Sequence, residues 1–155
     1  MTPTIRVRRI GEHTLPVPSR AHADDAGLDL RYAGTKPVTL ECVTELYSVG
    51  GHVQWLPVGF AFAIPSGFEG QVRPRSGLAK KHGVTTFLPT GTIDPGFRGE
   101  VHVALVNHGE EDFVIEPGDR IAQLVIAPVS LASCAEGDLD ETTRGAGGFG
   151  STGVK

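Results

Sequence analysis

An all-β fold, a distorted jelly roll or β-clip barrel with one short helix and a flexible glycine-rich C-terminal tail, is predicted for this 155-residue chain on three observations. Its 21 glycines and 11 prolines make up about a fifth of the residues, against roughly 12% in average usage, and such an excess of turn formers favours many short strands. Apolar residues come in short runs closed by Gly or Pro rather than in helical periods. A hydrophobic content of 39% can fill one core at this length but does not resemble a helical bundle.

The stretch Met1 to His13 carries Arg6, Arg8 and Arg9 without the apolar segment of a secretory signal. No run approaches the roughly 18 apolar residues of a membrane span, which argues against a membrane protein. Asp29, within Ala26-Gly27-Leu28-Asp29-Leu30, is flanked by apolar residues and is expected to be partly buried and in need of partners. Phe60 to Ile64, between Gly59 and Pro65-Ser66-Gly67, reads as a strand. Ser76 to His82 reads as the helix, with Ser76 as N-cap, Lys80 and Lys81 in the last turn and Gly83 as its stop. Val101, Val103 and Leu105 alternate along a strand that ends at Asn107-His108-Gly109. Phe113 to Ile115 is closed by the turn Glu116-Pro117-Gly118-Asp119, and Ile121 to Ile126 reads as a strand buried on both faces. Residues 1–143 then form the barrel domain, and the tail 144–155 has too little apolar surface to join a core.

A net charge of −4 and a pI near 5.8 argue against wholesale binding to nucleic acid. Arg73, Arg75, Lys80 and Lys81 nevertheless cluster within nine positions, and a local cationic pocket can hold a phosphate on an acidic protein. A solvated surface is the plainer alternative. Cys42 and Cys134 lack the paired spacing of a zinc site or a disulfide framework, which points to a reducing cytoplasm.

Three segments carry candidate chemistry. Gly145, Gly147 and Gly150 match G-x-G-x-x-G, but too little chain follows for the long helix of a dinucleotide fold. What survives is Arg144, the Ser151 and Thr152 hydroxyls and Phe149, groups able to wrap phosphates and stack on a base; plain disorder is the alternative. Arg73 to Ala79 joins two guanidinium groups, a hydroxyl and a helix start, a reasonable phosphate seat or else an ordinary helix beginning. Asp94 lies at a turn before the strand from Val101, held as a general base must be, although a turn-forming Asp before Pro95-Gly96 would look the same. The scattered histidines suggest no transition-metal site; magnesium carried in on phosphates fits best.

Taken in order, five segments resemble the motifs of the trimeric all-β dUTPases. They are Ala26 to Leu30, Pro74 to Ala79, Gly91 to Glu100, Gly118 to Leu124 and Arg144 to Gly153, together spanning nearly the whole chain. The resemblance implies a cytoplasmic homotrimer that hydrolyses dUTP to dUMP and pyrophosphate at three sites shared between chains. That reaction would keep uracil out of DNA and supply dUMP for thymidylate synthesis. It casts Asp94 as the base for a water attacking the α-phosphorus, with Thr92 and Ile93 at the pyrimidine and sugar. Arg75, Ser76 and Gly77 become the phosphate seat. Gln123 and Asp29 become magnesium-side contacts, through water in the case of Gln123. The tail becomes a lid, with Arg144, Ser151 and Thr152 on the γ-phosphate and Phe149, followed by Gly150, over uracil.

The chain departs from the family pattern at three places. Phe97 replaces a tyrosine whose ring packs on the deoxyribose, and Leu88 replaces an asparagine that helps read uracil. A stretch around 41–54 is about ten residues longer than expected and should form a surface loop or hairpin. A dCTP deaminase would share fold and trimer but uses a glutamate base and lacks the Arg-Ser-Gly-Leu-Ala sequence. A regulatory nucleotide-binding module is a further alternative, against which the intact Asp94, Gln123 and Arg144 argue.

Overall fold

The computed structural model of the chain describes residues 3–43 and 52–148. Eleven strands and one helix follow one another as β1 (Arg6–Arg9), β2 (Gly27–Arg31), β3 (Val38–Leu40), β4 (Gln54–Pro57), β5 (Phe60–Ala63), β6 (Phe68–Arg73), α1 (Ser76–His82), β7 (Val84–Thr86), β8 (Gly91–Ile93), β9 (His102–Asn107), β10 (Phe113–Ile115) and β11 (Arg120–Pro128). The strands pair antiparallel in four small sheets: β2-β11-β6-β8, β4-β9-β7, β1-β5 and β10-β3. All-β order with frequent glycine and proline turns is what the composition predicts.

One core joins the sheets. Leu30, Leu40, Phe62, Val84, Val103, Leu105, Ile115, Ile121 and Leu124 are at most 1% exposed and belong to a single cluster. Phe113 to Ile115 is a strand over the expected span. The strand read at Ile121 to Ile126 extends to Arg120–Pro128 and lies between β2 and β6, which is why its apolar run is so continuous. β9 departs from the expected alternation. Val103 to Asn107 are all buried: the face with Val103 and Leu105 and the face with Ala104 and Val106 are both covered.

Asn107 ends that strand with a purpose the sequence only hints at. Its side chain is fully buried; Nδ2 donates to Leu40 O (3.0 Å) and Glu111 O (2.8 Å), and Oδ1 accepts from Gly109 N (2.8 Å). One amide therefore satisfies β3, β9 and the following turn, as a buried polar group must be satisfied.

The helix occupies Ser76–His82, but Arg75 rather than Ser76 takes the cap position, with φ −96° and ψ 123° and no side-chain cap hydrogen bond. Ser76 is the first helical residue, so its hydroxyl is not spent on capping. Gly83 ends the helix in the left-handed region at φ 68°, its N–H donating to Ala79 O at 3.1 Å. A Cβ at Gly83 would also collide with the Gly109 backbone, so conformation and close approach both demand glycine there. The expected long loop at 41–54 falls largely on 44–51, outside the described residues; Cys42 on its near side bridges to Asn107, and β4 begins on its far side.

Candidate active site

Ten of the predicted site residues gather into two pockets of one chain. Asp94, Thr92, Ile93, Leu88 and Phe97 line a cavity of about 530 Å³. Asp29, Arg75, Ser76, Gly77 and Gln123 line another of about 290 Å³. No lining residue is common to both.

In the first pocket, β8 pairs with β6 (Gly91 opposite Val72) and buries Ile93, which carries Asp94 just beyond the strand end. The chain then turns, with Phe97 N donating to Asp94 O at 3.1 Å. Arg98 folds back on the turn, Nη1 donating to Pro95 O (2.6 Å) and Phe97 O (2.7 Å). Backbone and guanidinium thus fix the segment while the Asp94 carboxylate stays exposed. The Phe97 ring lies across Gly99, where a Cβ would approach Phe97 Cζ to 2.7 Å. Apolar walls come from Val72, Ile93 and Val101, and from Leu88 and Trp55, which are 43% and 57% exposed.

Strand register builds the second pocket. Gln123 on β11 stands opposite Asp29 on β2 and Arg73 on β6, so three segments distant in sequence meet in one row. Asp29 meets both expectations placed on it, being partly buried and partnered. Its Oδ1 lies 3.5 Å from Arg75 Nε and its Oδ2 3.2 Å from Arg120 Nη1. Arg75 Nη1 also donates to Arg120 O at 3.0 Å. Burial first, then the Arg120 guanidinium and more weakly Arg31, pull the Arg75 guanidinium below its ordinary range, while Asp29 opposes them. Asp25 lines the same pocket, so the two guanidinium charges stand against two carboxylates there. Arg120 is 42% exposed, and pairs so exposed contribute about 0–1 kcal/mol to stability, so the arrangement orients side chains more than it holds the fold.

Gln123 Nε2 donates to Pro74 O at 2.9 Å, tying β11 to the segment before α1. A Cβ on Gly27 would overlap the Gln123 amide, which explains a glycine two residues before Asp29. Gly77 is different, since a Cβ there meets nothing within 4 Å. The chain's own packing does not require that glycine. Among the described residues no group of three His, Cys, Asp or Glu side chains could hold a metal ion. The Asp29 carboxylate and the Gln123 amide oxygen suit a hard cation met through water.

Arg144 is exposed and lines neither pocket; its Nε donates to Gly147 O within a local turn (2.9 Å). Phe149, Gly150, Ser151 and Thr152 lie outside the described residues. Sequence reasoning missed Trp55, Thr86 and Arg120 as pocket walls. Arg120 could have been found from its place in the fourth motif, whereas Trp55 and Thr86 carry no motif at all.

The all-β scaffold holds an exposed, braced carboxylate in one cleft and two arginines in another, unlike the strand and long helix of a dinucleotide binder. Residues 13–153 match the dUTPase family, and the chain belongs to that family. It is 53% identical to the deoxyuridine 5'-triphosphate nucleotidohydrolase of Rhizobium etli over 156 residues, covering 98% of this chain and 95% of that protein. Its fold superposes on a variant of Staphylococcus bacteriophage 80alpha dUTPase with dUpNHpp at a TM-score of 0.81 and 25% identity, covering 99% of this chain and 100% of that one. A dUTPase variant from phage phi11 of S. aureus, described with a structural Mg(II) ion, superposes at 0.74 with 24% identity, covering 90% and 100%.

Proposed function

We propose that the protein hydrolyses dUTP to dUMP and pyrophosphate, with magnesium, at sites formed between copies of the chain in a homotrimer. The observation that carries this reading is the separation of the two pockets, since a carboxylate without phosphate ligands and a phosphate seat without a base are each half of a site. The 530 Å³ cavity is the right size for a nucleoside. Phe97 offers its ring face to the sugar, and Thr92 and Ile93 supply backbone groups to the pyrimidine.

Asp94 accepts a proton from water as the water oxygen bonds the α-phosphorus. The bond from that phosphorus to the bridging oxygen breaks, and pyrophosphate leaves with the electron pair. Such a transfer asks little covalent chemistry of the protein, only an in-line water and compensated charge. Arg75, Ser76 and Gly77, from another copy, hold phosphate oxygens. Within the seat the charges of Arg75 and Arg120 are offset by Asp25 and Asp29, so a triphosphate needs further cations. Magnesium, when bound, neutralises phosphate charge; Asp29 and Gln123 would hold it through water. Arg144 and the segment with Phe149, Gly150, Ser151 and Thr152 would close over the nucleotide as a lid, residues 144–155 serving a barrel of residues 1–143.

No helix among the described residues is long and apolar enough to cross a membrane. Cys42 and Cys134 are free thiols, which suits the cytoplasm, where the product dUMP would feed thymidylate synthesis and uracil would be kept out of DNA. Incubation with dUTP, dCTP, dTTP and UTP plus magnesium, followed by product separation, tests the reading. Dominant release of dUMP and pyrophosphate from dUTP is expected; deamination of dCTP, or no turnover of dUTP, would overturn it.

A further inference from the structure

We infer that the Thr86 hydroxyl is a substrate-binding group of the larger pocket, donating a hydrogen bond to a ring carbonyl of the pyrimidine. The inference rests on the functional reading above and adds to it a contact at the base. Thr86 closes β7, whose Val84 and Thr86 are buried while Thr85 is only half-buried. Only 7% of Thr86 is exposed, and its Oγ1 is buried without a hydrogen-bond partner among the described residues. A buried hydroxyl without a partner destabilises the protein, and valine would fill nearly the same space without that loss. Packing alone therefore gives no reason for threonine at this position.

The pocket gives one. Thr86 lines the cavity that also holds Asp94 and Phe97, and its neighbouring walls Val72, Leu88 and Val101 carry no side-chain hydrogen-bonding groups. Glu100 in the same cavity is already engaged, its Oε1 accepting from Gly59 N at 2.9 Å. Threonine occupies staggered χ1 wells, and one step carries the hydroxyl into the place the methyl held while the methyl takes that of the hydrogen. The side chain can thus turn its hydroxyl inward while the cavity is empty and present it when a carbonyl arrives. As a donor and acceptor it suits either ring oxygen of uracil.

Thr86→Val is the direct test, measured with dUTP and with two analogues lacking the 4-oxygen or the 2-oxygen. The substitution should raise KM for dUTP about fivefold to tenfold, the scale of one neutral hydrogen bond, and raise Tm of the free protein. The penalty should vanish for the analogue that lacks the contacted oxygen, and Thr86→Ser should keep the wild-type pattern. An unchanged KM for dUTP, or an equal penalty on dUTP and both analogues, would overturn the inference while leaving dUTP hydrolysis standing. Wild-type protein that does not turn over dUTP would overturn the functional reading itself.

Discussion

Asp94 is exposed, and its side chain makes no hydrogen bond or ion pair among the described residues; the turn around it is fixed by Phe97 N–H and the Arg98 guanidinium. Asp94→Asn should therefore shift the unfolding free energy by no more than about 0.5 kcal/mol, the usual range for a surface change. Turnover should fall by roughly 10² or more, the scale of a lost general base. Denaturant titration and a pyrophosphate-release assay measure the two sides, and near-normal turnover would remove Asp94 from the chemistry. Gly77 makes the opposite kind of case. With open space where a Cβ would sit, Gly77→Ala in the first turn of α1 should leave Tm unchanged or raise it slightly, since alanine favours helix by up to about 1 kcal/mol. Activity should nevertheless drop at least tenfold if phosphate from the shared site approaches that backbone; full activity would show that the glycine is incidental.

Among the elements, β10 was legible because three apolar residues meet a strong turn signal, and α1 because Gly83 stops it. β9 was legible as a strand from its alternation, but that alternation does not reveal that both of its faces are buried. Asn107 looked like the end of a strand and is the last residue of β9, but its wider role depends on Leu40, far away in sequence. Asn107→Ala should destabilise the fold by about 2–4 kcal/mol, because it strands buried groups that a single amide had satisfied. A loss below about 1 kcal/mol would mean that water takes over those bonds. The site shows the same divide. The motifs singled out Asp94, Arg75 and Gln123, which line the two pockets, while Thr86 and Trp55 became visible only through strand pairing, which no local pattern encodes.

For the whole molecule, the separation of the pockets makes a prediction that no single-chain site would share. Asp94→Asn protein and Arg75→Ala protein should each be nearly inactive, yet subunits mixed, dissociated and reassembled should regain part of wild-type activity. Some mixed sites would then take their carboxylate from one variant and their arginine from the other. Absence of any recovery after verified exchange would place both groups of a working site in one chain. Deleting residues 144–155 should leave the barrel folded, because Arg144 and its neighbours add nothing to the described core, but should abolish most turnover. Circular dichroism and the same release assay decide, and a truncated protein of full activity would sink the lid.

The row of Asp29, Gln123 and Arg73 has a consequence for how such a chain tolerates changes of length. The row is set by ladder pairing across β2, β11 and β6, not by the number of residues that separate these positions along the backbone. Connections between strands can lengthen at a cost that grows only as the logarithm of their size, and growth between β3 and β4 leaves the row untouched. Within β11 the arithmetic is one of parity. One residue gained or lost between Gln123 and Ile126, where the pairing with β6 is regular, would put the glutamine on the opposite face of the sheet from its present neighbours, so a change harmless in any loop becomes, a few positions away, the loss of a site.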